Sequence, residues 1–148
     1  MWYSIIVSHC IIKWRFCSSK KVAEFVEWVQ EQDFYDNTTI VICGDHPSMQ
    51  PHTFEEIVKN GYERTVYNVI INPAVDTEKT KNKYCSTMDM FPTTLVSLGV
   101  KIDGDRLGLG TNLFSDKETL MARYDLNYLS EELFKNSPFY NRKFVYEK

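Results

Sequence analysis

The run Thr38–Cys43 constrains the fold more than any other part of this sequence. It reads Thr-Thr-Ile-Val-Ile-Cys, so five of its six residues are β-branched and its apolar side chains are consecutive. Such an uninterrupted run is typical of a strand that is buried on both faces of a parallel sheet. Because a helix is predicted just before it, the sequence favours an α/β fold with a mainly parallel sheet.

That preceding helix is predicted from about residue 18 to Asp33. Ser18 and Ser19 can cap its N-terminus, and apolar side chains then recur at the spacing i, i+3, i+4, i+7 of an amphipathic helix. The apolar positions are Val22, Phe25, Val26 and Val29. A helix followed by a buried strand is the beginning of an α/β alternation.

Two more elements continue the alternation. Thr53 and Glu56 form a T-x-x-E capping box for a short helix, and Gly61 can close that helix in the left-handed conformation. A second strand is predicted over Val66–Asn72, and Pro73 ends it because proline cannot donate to a sheet ladder.

A third helix is predicted to begin after Asp89. With Asp89 as N-cap, Pro92 falls in the first turn, where a missing N–H breaks no hydrogen bond. A start at Ser86 would place the proline inside the helix instead. Gly99 is expected to close the helix.

The remaining sequence predicts a glycine-rich loop and two helices. The loop holds Gly104, Gly108 and Gly110. A capping box from Ser115 to Glu118 then begins a helix over residues 120–121, and a last helix is stopped by Pro138. The last helix carries Leu126, Leu129 and Leu133. After Pro138 the chain is aromatic and basic.

Composition fits one compact domain and excludes nucleic-acid binding. With 43% apolar residues in 148, the chain can bury a core. A net charge of −3 and the lack of a dense basic stripe argue against nucleic acid. We expect the domain over residues 18–148, after an atypical tail over residues 1–17. The apolar clusters of the tail are too interrupted for a transmembrane helix, and it shows no targeting signal.

Gly44-Asp45-His46 is the best candidate for a functional site. Ligands of open α/β sheets gather at the carboxyl ends of the strands, which is where these residues lie. Asp45 and His46 can converge only if the backbone bends, and Gly44 and Pro47 allow a bend. A carboxylate beside an imidazole suits Mn²⁺ or Zn²⁺ better than Ca²⁺. The alternative is a turn-capping aspartate beside a surface histidine.

Other polar and reactive residues have simpler explanations. His52 could be a further metal ligand or contact the substrate, although a lone histidine at a helix start is often a surface residue. Asp89 is assigned to helix capping rather than to chemistry. Cys43 is predicted to be a small buried hydrophobe. Three aromatic residues, one inside the first helix and two just after it, are predicted to lie in the core: Trp28, Phe34 and Tyr35.

From residue 18 to about Tyr140 the sequence resembles the sulfatase-like branch of the alkaline phosphatase superfamily. The likeness is strongest to bacterial lipoteichoic acid synthases and phosphoglycerol transferases. Four stretches carry it by their order and spacing: Val22–Ile42, Gly44–His46, Ser86–Leu95 and Gly104–Phe114.

The resemblance implies a membrane-anchored enzyme of the bacterial cell envelope, whose catalytic domain faces outward. Such an enzyme moves a phosphoglycerol group from phosphatidylglycerol, an anionic phospholipid, to an acceptor. A threonine would be the nucleophile, and a divalent ion, Mn²⁺ or Mg²⁺ rather than Zn²⁺, would assist it. Asp45 and His46 match the Asp-His ligand pair of the family.

The family's nucleophile and its remaining acidic ligand belong to strand ends upstream of the matching region. We therefore expect this chain to carry half of the active site and to be inactive alone. A truncated or misread gene start would explain residues 1–17, and a genuine short strand is the alternative. Membrane contact is expected through a region upstream of this sequence.

Two other functions stay open at the level of sequence. A sulfatase or phosphodiester hydrolase of the same superfamily would share these residues, because the groups that recognise the ester lie upstream. A non-enzymatic binding module would use the exposed edge of the sheet.

Overall fold

The structure is a computed structural model that describes residues 17–46, 61, 65–76 and 83–146. The chain divides into two compact units, one ending at Ala74 and the other beginning at Val75. The tail over residues 1–16, the capping box of Thr53 and Glu56, and His52 lie outside the described residues. The predicted domain boundary near residue 17 therefore stays a prediction.

The described residues of the first unit form one α-helix and two paired strands. Helix α1 covers residues 17–30, which confirms the predicted helix with an end three residues before Asp33. A single 3₁₀ turn, Tyr35–Asn37, leads to strand β1, Ile40–Cys43, and strand β2 covers Asn68–Ile71. Both strands lie within the segments that the sequence predicts.

Strands β1 and β2 pair antiparallel. Ile40 lies opposite Ile71, and Cys43 lies opposite Asn68. The described residues contain no parallel pair of strands, whereas the uninterrupted apolar run predicts parallel neighbours. The mainly parallel sheet stays a prediction, because one pair of four-residue strands does not define the sheet of a whole domain.

Hydrogen bonds of Asn72 connect the end of β2 to the turn before β1. Its side-chain amide donates to the carbonyl oxygens of Tyr35 at 2.9 Å and Thr38 at 3.0 Å. Its own carbonyl oxygen accepts from Thr39 Oγ1 at 3.0 Å. The backbone of Asn72 is left-handed, with φ of 54°, a conformation that asparagine tolerates better than most residues.

Replacing Asn72 with alanine is expected to loosen the β1–β2 pair by about 2 kcal/mol, from two lost side-chain hydrogen bonds and left-handed strain. Asn72→Gly removes the same bonds without the strain and should cost less. Amide hydrogen exchange of the β1 residues measures the opening free energy of the pair. Equal protection in the wild type and in Asn72→Ala would show that the side-chain hydrogen bonds of Asn72 do not stabilise the β1–β2 pair.

Two assumptions about burial in this unit are wrong. The aromatic rings of Trp28 and Phe34 are exposed, and they contact one another with centroids 6.4 Å apart instead of entering a core. Cys43, predicted to be buried, is also exposed, because it is the last residue of a two-stranded pair. Val29 is the buried apolar residue of α1.

The first described helix of the second unit is α2, Thr87–Ser97, and its start differs from the prediction. Ser86 is the N-cap, and Asp89 occupies the third helical position of a capping box. Pro92 consequently lies inside the helix and has no N–H for the carbonyl oxygen of Met88. Gly110 packs against that carbonyl, since a Cβ on Gly110 would lie 2.0 Å from the oxygen.

After α2 come a small hairpin and a series of short helices. Strands β3, Arg106–Leu107, and β4, Gly110–Thr111, pair antiparallel. Helices α3, Leu120–Arg123, and α4, Leu126–Phe134, follow. Helix α5, Pro138–Tyr140, runs into a π-helical turn, Asn141–Tyr146.

The caps of these helices correct two predictions. Thr119 caps α3, with its hydroxyl accepting from the N–H of Ala122, so the helix does not begin at the predicted Ser115 box. Helix α4 is confirmed and buries Leu129, and Asp125 caps it. Pro138 does follow the end of α4, but it also begins α5, where the fixed φ of proline suits the first helical position.

Buried polar side chains, rather than apolar ones, join α2 to the hairpin. The buried polar residues are Asp89, Thr93, Ser97, Thr111, Asn112 and Thr119. Asp89 Oδ1 accepts from the N–H of Thr111 at 2.8 Å, and Thr93 Oγ1 accepts from the N–H of Leu113 at 3.0 Å. Two stretches that carry the family resemblance, Ser86–Leu95 and Gly104–Phe114, thus pack on each other.

Candidate functional site

The candidate site lies just beyond the end of β1. The N–H of Gly44 donates to the carbonyl oxygen of Tyr67 at 2.9 Å, which extends the ladder by one residue before the chain bends. A Cβ at position 44 would lie 2.5 Å from Cγ1 of Val66, so a larger residue there would force the valine side chain to move.

The bend brings Asp45 and His46 together. His46 Nε2 lies 3.3 Å from Asp45 Oδ2. Asp45 Oδ1 accepts from the backbone N–H of His46 at 2.9 Å. This second contact orients the carboxylate, so that one oxygen is engaged by the backbone and the other faces the imidazole. The predicted convergence of the two side chains is therefore present in the structure.

The distance between the two groups fits two kinds of contact. A direct ion pair or hydrogen bond between imidazole and carboxylate is one. Shared coordination of a metal ion is the other, since bonds of about 2.1 Å that meet at roughly 100° place two donor atoms about 3.2 Å apart. The side chains are 85% exposed for Asp45 and 53% exposed for His46, so an ion can reach both from solvent.

Two donors do not complete a metal site. Firm sites for Mn²⁺ or Zn²⁺ use three or four donors and supporting hydrogen bonds. Within residues 17–46, 61, 65–76 and 83–146, no group of three histidine, cysteine or acidic side chains is placed to hold an ion. Further donors would have to come from water, from substrate or from residues outside this set, which include His52.

Comparisons with profiles of known protein families, with curated proteins and with solved structures return no match for this chain. The resemblance to the phosphoglycerol transferases therefore stays a prediction that rests on the quoted stretches.

Two further residues with side chains capable of chemistry lie at the start of α2. Asp89 is buried in the α2 capping box, in agreement with its assignment to structure. Burial raises the pKa of the Cys85 thiol, and the nearby charge of Asp89 raises it further, so this cysteine stays protonated at neutral pH. Asp89 is therefore assigned to helix capping, and the Cys85 thiol is not a thiolate nucleophile at neutral pH.

Sequence reasoning missed two features of the surface. The first is the backbone contact that orients the Asp45 carboxylate; an Asp followed directly by a turn is its only sequence signal. The second is the strong exposure of the aromatic residues after Phe134. The aromatic and basic composition of the chain after Pro138 is visible in the sequence, but composition alone does not predict that these side chains are exposed.

Proposed function

We propose that this chain is the C-terminal part of a metal-dependent phosphoglycerol transferase, in which Asp45 and His46 supply two ligands to a divalent ion, Mn²⁺ or Mg²⁺. The observation that supports it is the 3.3 Å approach of Asp45 Oδ2 to His46 Nε2 beyond the end of a strand. The sequence resemblance supplies the reaction class. The parent enzyme would be membrane-anchored and face outward, with phosphatidylglycerol as donor.

The residues of this chain would position the ion rather than carry out the reaction. Asp45 offers a negatively charged oxygen whose direction is fixed by the N–H of His46. His46 offers an imidazole nitrogen beside it. A bound divalent ion lowers the pKa of an attacking hydroxyl and neutralises charge that develops on a phosphoryl group. The nucleophile and the remaining ligands would come from the upstream part of the enzyme.

Calorimetry with Mn²⁺ tests the metal pair. We expect weak binding by the wild-type chain and at least about tenfold weaker binding by Asp45→Ala and by His46→Ala, because each removes one of two donors. Both side chains are exposed, so neither substitution should disturb folding. Asp36→Ala, which removes another exposed carboxylate of the same unit, is the matched control.

Two results would contradict the proposal. One is Mn²⁺ binding that survives both substitutions. The other is no binding by the wild type, which would leave the contact as a surface ion pair and favour the non-enzymatic alternative. The sulfatase alternative shares the metal pair, and the identity of the nucleophile in the upstream sequence separates the two enzymes: threonine for phosphoglycerol transfer, cysteine or serine for sulfate esters.

A further inference from the structure

Helix α1 and the turn after it expose a row of large apolar side chains. We refer to Val22, Phe25, Trp28 and Phe34 as the α1 apolar surface. Val22 is 45% exposed, and the three aromatic residues are 50% to 59% exposed. The ring of Trp28 contacts both others, with centroids 5.9 Å from Phe25 and 6.4 Å from Phe34. Exposed rings that touch one another form a contiguous patch of the kind that marks an interaction surface.

The charges of α1 are divided between its two ends. Residues 1–21 contain no acidic side chain, and Lys20 and Lys21 lie in the first half of the helix. Both lysines pair with Glu24, with Nζ–oxygen distances of 3.8 Å and 2.6 Å. One carboxylate balances one of the two ammonium groups, so this end keeps a positive charge. Residues 22–36 contain no basic side chain and five acidic ones: Glu24, Glu27, Glu31, Asp33 and Asp36.

This order of charges opposes the dipole of the helix itself. The N-terminus of an α-helix carries a partial positive charge and the C-terminus a partial negative one, so lysines at the start and glutamates at the end are both unfavourable. The pair of Lys20 with Glu24 also has the less favourable orientation for residues four apart. A second helix that lies antiparallel reverses these interactions, because its acidic end lies beside the lysines.

We propose that the α1 apolar surface binds the same surface of a second copy of this chain, with the two α1 helices antiparallel. A two-fold axis beside the middle of the helix brings Phe25 of one copy to Trp28 of the other, and Lys21 to the level of Glu31. The rings leave water together, and the basic end of each helix faces the acidic end of its partner.

The dimer is weak, for two reasons. The fourteen residues of α1 extend about 21 Å, so a pair of these helices buries less area than a stable dimer usually does. Residues 17–36 also carry five acidic side chains against two lysines, so the two copies repel one another in every arrangement except one that places opposite ends together. The proposal goes beyond the proposed function, because it requires neither the metal ion nor Asp45 and His46.

Sedimentation velocity of the full chain, over a concentration series and with a reducing agent, tests the proposal. The reducing agent excludes disulfide-linked dimers through Cys17, which is exposed at the start of α1. We expect a reversible dimer at about 100 µM chain. Trp28→Ser should weaken it at least about tenfold, because the central ring is lost. Phe144→Ser, which removes a ring that is 68% exposed in the second unit, is the matched control and should leave the dimer unchanged.

Reversing the charges at either end tests the antiparallel arrangement. Lys20→Glu with Lys21→Glu makes both ends of the helix acidic, and Glu27→Lys with Glu31→Lys makes both ends basic at the helix surface. Each variant alone should dimerise at least about tenfold more weakly, and an equimolar mixture of the two should recover the wild-type dimer. Both variants match their charges to the helix dipole, so circular dichroism should show helix content equal to or above that of the wild type.

Three results would overturn the proposal. One is a wild-type chain that stays monomeric at about 100 µM, which would leave the surface to a different partner. Another is a dimer that Phe144→Ser weakens as much as Trp28→Ser does, which would assign self-association to the end of the second unit. The third is a mixture of the two charge variants that stays monomeric, which would exclude the antiparallel pairing of α1.

Discussion

Gly110→Ala is expected to destabilise the unit that begins at Val75 by about 3 kcal/mol or more. A Cβ at position 110 would lie 2.0 Å from the carbonyl oxygen and 2.8 Å from the carbonyl carbon of Met88, and 2.9 Å from Cγ of Pro92. Two of these atoms belong to helix backbone and the third to a rigid ring, so no flexible side chain can move aside. Urea denaturation followed by far-ultraviolet circular dichroism measures the loss.

Gly108→Ala is the matched control for that substitution. Gly108 lies in the same hairpin, has φ of 60°, and has open space where a Cβ would be. Alanine there meets only left-handed backbone strain, about 1 kcal/mol. If the two alanine variants lost the same stability, contact between the hairpin and the Met88 carbonyl would not be what holds the unit together.

Local sequence patterns were sufficient to predict those helices and strands whose formation is determined by the side chains within the segment itself. The i, i+3, i+4, i+7 spacing located α1, and the β-branched run located β1. The direction in which β1 pairs was not predictable in the same way. The direction of pairing depends on which segment of the chain lies beside β1. The apolar content of β1 does not identify that segment.

The start of α2 shows where local reasoning fails. Ser86 and Asp89 are both good N-cap residues, and the choice between them was made on the position of Pro92. In the structure the two residues act together as the ends of one capping box. The proline is accommodated inside the helix, next to a glycine 18 residues further along the chain. That contact is tertiary and leaves no local signal.

The candidate site was only partly predictable, because only part of it is formed by residues that are adjacent in the sequence. A glycine at the end of an apolar strand, followed by Asp45 and His46, indicates a bend that brings two donors together, and the structure has that bend. For the proposed metal site, a third donor would have to come from another part of the chain or from another molecule. The spacing within Gly44–His46 contains no information about it.

Asp89→Ala is the second substitution with a large expected effect, about 3–5 kcal/mol. The carboxylate is 1% exposed. It accepts from the backbone N–H groups of Ser86 and Thr111, each at 2.8 Å, and from Ser86 Oγ at 3.2 Å. Alanine would leave these donors unsatisfied in a buried place, which costs more than the bonds themselves contribute. Urea denaturation gives the free energy of unfolding.

Comparing Asp89→Ala with Asp125→Ala separates the effect of burying the carboxylate from the effect of capping a helix. Asp125 also caps a helix and accepts from two backbone N–H groups, those of Asn127 at 2.9 Å and Tyr128 at 3.0 Å, but it is exposed. Water can replace it, so we expect a loss of about 1 kcal/mol. Asp89→Asn should lie between the two alanine variants, because its amide keeps one acceptor oxygen but presents a donor to one of the N–H groups. Equal losses for Asp89→Ala and Asp125→Ala would mean that Asp89 acts only as a helix cap, and that its bond to Thr111 does not join the hairpin to α2.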